Sequence, residues 1–491
     1  MRLRLMSRAS ALAVHQADLV AAAIRRARPD VEIVRQTRAS LGDRNPHVDL
    51  SATPDKGVFT SDLSQALLDD HADAVVHSWK DLPVEGHAGT SIAATLTRAD
   101  PRDVLLVRRE VVDARPDRVR VLSSSPRRVW QIERSGHRWL PWTVASIETS
   151  PVRGNVPTRL RKLASGEGDA LIVAKAAIDR LLSGEAPDEV TADVRASVAR
   201  CRWMVLPLKE HPTAPAQGAL AVEIADTRLD LRSLFAELDD HATRRAVEDE
   251  RAILAAFGGG CHAAVGATVL SRDYGRITSI RARLSDDVER ESWALDSSRT
   301  PPPPAARGAF WPRPEERDAA TRRPLDVSAP DDDRGWWISR ADALPDGWRP
   351  SADRIIWTAG SRSWERLARR GIWVNGCAEG LGDTEMPGVD TIAGRTVSWL
   401  RLTHDASGDP AALATYTVET SLPDDLQTRT HFFWTSGSLF RRALTRFPSL
   451  ASAWHASGPG RTAAALRETL GDRAQTSVWL DYDQWHRHVT S

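Results

Sequence analysis

The chain has 491 residues, and 66 basic side chains balance 66 acidic ones, so its formal net charge is zero. A protein that coats polyanions would carry a basic surplus and is excluded, although a local basic cleft is not. At 27% charged and 41% apolar the chain is globular material, with length for roughly three or four domains.

The basic side chains divide unevenly into 61 Arg and 5 Lys, an end-to-end compositional skew against which each Lys stands out. Cys201, Cys261 and Cys377 lie far apart without CxxC spacing. That argues against a disulfide framework and the common zinc patterns; no metal site is expected, and a reducing compartment is. The opening MRLRLMSRAS has no continuous apolar run, and no stretch approaches the length of a membrane span. A soluble cytoplasmic protein is therefore expected.

In chain order, Arg2–Ser7 reads as a strand, and 11–27 places Leu12, His15, Leu19, Val20, Ala23 and Ile24 at helical spacing. Val31–Gln36 is a second strand, Ser61–Leu68 a helix and Ala74–His77 a third strand. The alternation predicts a mixed or parallel α/β sheet. A similar unit recurs at Val119–Leu122, the helix after Pro126, and Ala170–Val173. Apolar runs follow at 201–206 and 219–224, then a helix over 240–257 and strands with polar turns over 262–295. PPPP at 301–304, a Pro/Arg-rich 312–324 and PDDD at 330–333 read as a linker. Beyond it lie 11 of the 18 Trp and no Lys, and WTAGS at 357–361 is echoed by WTSGS at 434–438. Each copy follows an apolar run and precedes a helical pattern, which suggests two related α/β units.

Three constellations carry chemistry. In His77-Ser78-Trp79-Lys80-Asp81-Leu82-Pro83 a strand ends and polar groups follow at once, where ligands gather on open α/β sheets. The Lys80–Asp81 pair reads either as a site or as a solvated turn. Lys56 sits in another loop of site-like character, and a compact ammonium does work that a planar guanidinium does not. Ser123-Ser124-Ser125-Pro126-Arg127-Arg128 offers free backbone N–H groups and two cations at a helix entry, a setting for an anion. Arg153, Asn155 and Arg159 bracket a Gly-containing loop, Arg180 follows, and Arg8 with Ser10 opens the first helix in the same manner. Arginine pairs with carboxylate in two-pronged fashion, so the set suits a ligand with several carboxylates; surface ion pairs are the bland alternative. Gly258-Gly259-Gly260-Cys261-His262 gives a turn where a sulfur could meet a large ligand, or a buried inert thiol. A Cys–His dyad is disfavoured, because the two residues are immediate neighbours.

In this order, SRASALAVHQA (7–17), KGVF (56–59), HSWKDLP (77–83), DPRD (100–103), SSSPRR (123–128), RGNVPTRL (153–160), AQGALAVE (216–223), ER (250–251) and GGGCHAAVGA (258–267) resemble the hydroxymethylbilane synthase, or porphobilinogen deaminase, family over residues 1–297. The resemblance implies head-to-tail condensation of four porphobilinogen molecules with release of ammonia. It also implies a dipyrromethane cofactor held by a thioether, by motif to Cys261. The partners it implies are porphobilinogen and the growing pyrrole chain, with no nucleic acid, no membrane and a monomeric enzyme. Asp81 matches the catalytic aspartate. Arg8, Ser10, Lys56, Lys80, Ser125, Arg127, Arg128, Arg153, Asn155, Arg159 and Arg180 fall on substrate- or cofactor-binding positions.

The sequence departs from the family at Leu122 and Ser123, where Gly-Thr is usual, and at Pro126, Trp79, Ala52 and Pro54; AQG keeps part of a longer motif. The implied fold is α/β, with two type II periplasmic-binding-protein-like lobes (1–98 with 201–223, and 99–200). A small α+β cofactor-attachment domain (224–298) and a linker (299–333) follow. Residues 334–491, through WTAGS, WTSGS and HASGPGRTAAALRETLG, resemble uroporphyrinogen-III synthase more thinly, as a shortened α/β region. Two alternatives stand beside this reading: a bifunctional enzyme that also closes the bilane to uroporphyrinogen III, and a non-catalytic binder of an anionic ligand.

Overall fold

A computed structural model describes residues 1–38, 60–183, 189–258, 264–284, 288–317, 320–383, 385–471 and 475–491. Five sheets organise a mixed α/β chain.

The first sheet begins with Arg2–Arg8, followed by the helix Ala11–Ala27. That helix starts where Ser10 accepts the Ala13 N–H, and it buries Ala13, Ala17, Val20, Ala21 and Ile24 along one face. Glu32–Arg38, Arg2–Arg8 and Ala74–Ser78 run parallel, while Leu220–Ala225 runs antiparallel between Ala74–Ser78 and Thr90–Thr95. The second sheet repeats the pattern. Ser146–Ser150, Arg118–Leu122 and Ala170–Ala174 are parallel, and Asp103–Arg108 runs antiparallel between Ala170–Ala174 and Cys201–Val205. In both sheets the parallel strands deliver their carboxyl ends to one edge, and loops there are free to face a shared cleft.

Two boundaries differ from those that the resemblance implied. Cys201–Val205 pairs with Asp103–Arg108 and belongs to the second sheet, so the return to the first lobe lies between 206 and 219 rather than at 201. An apolar run is equally at home in either of two buried sheets, and pairing partners are not written in it. The helix Leu229–Ala236 also stays with the first lobe, where Leu231, Leu234 and Phe235 enter the core around Leu3, Leu5 and Val222. The helix His241–Ala256 then packs on a three-stranded antiparallel sheet of Ala264–Arg272, Gly275–Arg283 and Glu289–Ser297.

The Pro-rich 299–333 stretch is not bare connection. Phe310–Trp311 pairs with His431–Trp434, and Thr321–Pro324 with Leu413–Glu419. Trp311 is buried against Trp434, ring centroids 4.9 Å apart. Proline content marked the stretch as linker, yet one buried indole is enough to dock it. Two C-terminal sheets result. One has six strands, of which Leu413–Glu419, Trp399–His404, Gly335–Ile338, Ile356–Thr358 and Gly376–Cys377 are parallel. The other is a four-stranded parallel sheet of Phe310–Trp311, His431–Trp434, Trp454–Ser457 and Thr476–Val478. WTAGS and WTSGS occupy equivalent places, each closing a strand before a helix (Ser361–Arg369 and Gly437–Arg446), with Trp357 and Trp434 buried. The core of the second lobe, including Leu105, Val107, Trp139 and Met204, is continuous with Trp336, Trp364 and Leu402 of the six-stranded unit. No helix among the described residues is long and apolar enough to cross a membrane.

Candidate active site

The strand Ala74–Ser78 ends in a single 3-10 turn, Trp79–Asp81. Trp79 points inward, packs with Ala216, Ala219 and Val247, and donates its backbone N–H to the Ala219 carbonyl at 3.1 Å. With the indole fixed, Lys80 and Asp81 turn outward and both are exposed. The indole that replaces a smaller family residue therefore serves as the turn's anchor. Arg251 secures the loop that follows, donating to the Leu82 and Val84 carbonyls at 3.2 Å. Among the described residues the Asp81 carboxylate has no hydrogen bond and no ion pair. Beneath the turn His77 Nε2 lies 2.8 Å from Glu223, which also accepts from Ser64 and Thr90. Burial raises the Glu223 carboxyl, but these hydrogen bonds outweigh it and its net shift is downward.

Across the cleft, Ser124 Oγ clasps both the N–H and the carbonyl of Val152 at 2.8 Å, joining the SSSPRR turn to the Arg153 loop. Ser125 is the N-cap residue of Pro126–Ser135, with Pro126 in the first turn. Arg127 and Arg128 are not solvated cations. Both are buried and both reach Asp103, at 2.9 and 2.7 Å. Arg127 Nη1 donates to Gln131 and the Pro212 carbonyl, so this side chain supports the site from behind instead of facing the cleft. Burial pushes Asp103 up, but the two guanidinium groups, Arg128 foremost, hold its carboxyl well below the usual carboxylate range.

Two residues expected at the ligand also cap helices. Ser10 receives the Ala13 N–H at 3.4 Å, and Asn155 receives the Thr158 N–H at 3.0 Å. Arg159 Nε donates to the Gly154 carbonyl at 2.8 Å, and its pKa is lowered by burial and by Arg128. Arg180 is lowered to about 10 by burial and donates to the Gly218 carbonyl at 2.7 Å. Arg153 is exposed and Arg8, at the end of its strand, is partly so. Lys56 and Cys261 lie outside the described residues.

The residue that joins the two sides is Gln217, to which sequence reasoning gave no role. Its buried carboxamide donates to Asp103 at 2.8 Å and the Pro101 carbonyl at 2.6 Å, and accepts from Arg128 at 3.3 Å and Lys80 Nζ at 3.4 Å. Asp103 and Glu250 were overlooked likewise. Glu250 forms a buried two-pronged pair with Arg98 at 2.7 and 2.9 Å and accepts the backbone N–H groups of Ala216 and Val269. All three stood inside quoted motifs (DPRD, AQG and ER), which was the available signal. Gly218 has φ +89°, and a Cβ there would stand 2.6 Å from the Ala99 carbonyl oxygen, so the two crossover segments touch where only glycine fits.

Lys80 is exposed as a residue, yet its Nζ reaches back to the buried Gln217 carboxamide and protein surrounds it. Desolvation lowers its pKa to about 8, with Asp81 opposing and Arg128 assisting. It is charged below that value and loses its hold on a carboxylate above it. The expected result is a kcat/KM that falls as pH rises through about 8, a limb that Lys80→Arg should remove; pH-rate profiles check both. Taken together, cations on both walls and one unpaired carboxylate suit a ligand with several carboxylates that passes through a positively charged state.

Residues 3–233 match the family model described as "Porphobilinogen deaminase, dipyromethane cofactor binding domain". Porphobilinogen deaminase of Mycolicibacterium gilvum is 39% identical over 269 residues, 54% of this chain and 77% of that protein. Porphobilinogen deaminase 1 of Streptomyces coelicolor is 39% identical over 312 residues, 62% of this chain and 90% of its own length. The Acidothermus cellulolyticus enzyme of the same name is 43% identical over 271 residues, 54% and 74% of the two chains.

Proposed function

Because the chain belongs to the porphobilinogen deaminase family, a family of transferases that make hydroxymethylbilane for tetrapyrrole biosynthesis, we propose specific roles for the residues around its cleft. Asp81 is the catalytic carboxylate. As ammonia leaves porphobilinogen, positive charge develops on the pyrrole and its methylene carbon, and a fixed carboxylate at the ring N–H lowers the energy of that state. The same carboxylate can take up the proton displaced when the new carbon–carbon bond forms. Lys80, Arg8, Arg128, Arg153, Arg159 and Arg180 hold the acetate and propionate groups, with Ser125 at the mouth of its helix. Arg127, Ser10 and Asn155 hold loops in place.

The dipyrromethane group fits this donor set, since its carboxylates need the cations that line both walls. Cys261 would hold it, and when bound it supplies the pyrrole onto which the first substrate is joined. The repeated strand pattern of the first two sheets, three parallel strands followed by a reversed one, supports reading them as type II binding-protein lobes.

The observation that carries the assignment is Asp81, without a hydrogen bond or ion pair among the described residues, beside Lys80 at the end of a strand and opposite a second lobe rich in arginine. Intact-mass measurement of the purified chain should show a covalent dipyrromethane, absent from Cys261→Ser, and porphobilinogen should yield ammonia and hydroxymethylbilane. A chain that binds porphobilinogen without releasing ammonia would instead be a binding protein.

A further inference from the structure

No role follows from the family for residues 334–491: its model ends at residue 233, and the three relatives span at most 62% of this chain. Their contacts supply one. Where the six-stranded unit meets the second lobe, Val205 N–H donates to the Asn375 carbonyl at 2.8 Å, extending one sheet edge toward the other. Trp203 O accepts from Asn375 Nδ2 at 3.0 Å and Trp373 Nε1 at 3.2 Å. Trp364 donates to the Trp139 carbonyl at 3.2 Å, with the two rings 4.9 Å apart.

The segment after Gly376–Cys377 then reaches the hinge itself. Arg102, on the outgoing crossover beside Asp103, donates to the Pro387 carbonyl at 3.3 Å and lies over the Trp357 ring at 5.3 Å. On the return crossover, the Lys209 N–H donates to Glu379 at 3.0 Å. Lys175, buried in the second lobe, donates to the Gly388 carbonyl at 2.6 Å. The third unit joins in, with Tyr274 OH donating to the Leu381 carbonyl at 3.2 Å. These polar grips surround a cavity of about 710 Å³ whose lining includes Asp100, Arg102, Lys175 and Glu379. The crossovers are thus held by directed bonds around this cavity as well as by packing, since Leu206 on the return crossover is buried in the core that the second lobe shares with Trp336 and Trp364.

We infer that the C-terminal region, residues 334–491, is a hinge brace: it fixes the second lobe and both crossovers as one body, so that the cleft opens by movement of the first lobe alone. Arg102 is one residue from Asp103, and the return crossover leads to Gln217. The brace therefore sets where Asp103 and Gln217 place Arg128 and Lys80. Glu379 is a positioning residue in this scheme, acting through the crossover and never touching substrate. The consequence for turnover rests on the enzymatic reading above; the mechanical one does not.

Glu379 has φ +58°, a conformation that glycine adopts freely, so Glu379→Gly removes the grip while relieving backbone strain, and it should fold. In the full chain, hydrogen exchange over 206–210 should quicken by about tenfold, the equivalent of roughly one hydrogen bond. The covalent cofactor should stay, kcat should fall by about threefold or more, and KM should hold within about twofold. Scanning calorimetry of the unaltered chain should show the second lobe and the six-stranded unit melting in one transition. Unchanged exchange, or two separate transitions, would overturn the brace. Faster exchange with unchanged kcat would overturn its control of turnover. Absence of dipyrromethane from the unaltered chain would count against the enzymatic reading and leave the exchange result to judge the brace.

Discussion

Asp81→Asn should keep its covalent cofactor and its stability while turning over porphobilinogen about 10²–10³ times more slowly, the usual cost of deleting one preorganised electrostatic partner of a transition state. The substitution is isosteric, and Asp81 is exposed with no hydrogen bond among the described residues, so folding has nothing to lose. What goes is charge. An amide oxygen still accepts a hydrogen bond from a pyrrole N–H but does not neutralise the cation left by departing ammonia. A second signature is expected in the same variant. Asp81 holds the Lys80 pKa up, so its removal should move the alkaline limb of kcat/KM below the parent's value of about 8. Single-turnover kinetics and pH profiles check both effects; turnover within tenfold of the parent, at full cofactor occupancy, would remove Asp81 from its role.

Asp103→Ala should be the most damaging change to stability, at about 3–5 kcal/mol, because it strands buried charge. The carboxylate lies between two guanidinium groups, Arg127 and Arg128 being 4% and 9% exposed, and it also receives Gln217. Without it two like charges face each other with no counter-ion, and the carboxamide loses the partner that orients it toward Lys80. Asp103→Asn, which still accepts hydrogen bonds, should lose less. The pH dependence follows from the depressed carboxyl: its stabilisation is present above the unfolded carboxylate pKa of about 3.9 and is lost as pH falls toward the lower folded value. Urea midpoints across pH, with intact mass for cofactor retention, measure this. An Asp103→Ala chain as stable as the parent would mean that the two arginines find other partners.

The elements of the first lobe were legible because their periodicities are clean: period two in Arg2–Arg8, helical spacing in Ala11–Ala27, and a strand that stops abruptly before Lys80. Lys80 itself was marked by rarity. Arg127 read as a ligand-facing cation because its partner Asp103 lies 24 residues away on a strand whose antiparallel pairing nothing local announces. The capping by Ser10 and Asn155 was not read from the sequence, since a residue suited to an anion at a helix start is equally suited to capping that helix. Gln217 had only its place in the AQG motif to mark it, being neutral and in a loop; its importance comes from where two crossovers meet. The strand Cys201–Val205 and the helix Leu229–Ala236 fall on the other side of the boundaries that the resemblance implied, and their apolar runs could not correct this because they report burial and not the identity of the neighbour.

The shared core of the second lobe and the six-stranded unit also has a consequence in time. The first lobe can close once Leu220–Ala225 has been made, since that strand completes its sheet. The second lobe has all its own strands by Val205, yet Trp139 and Met204 stay without their full packing partners until Trp364 and Leu402 emerge. At typical bacterial translation rates those roughly 200 intervening residues take about 10–40 s to synthesise. During that interval the ribosome carries a finished first lobe beside a second with an apolar flank bare to solvent. The tryptophan-rich region is thus the last piece of an earlier domain, delivered late.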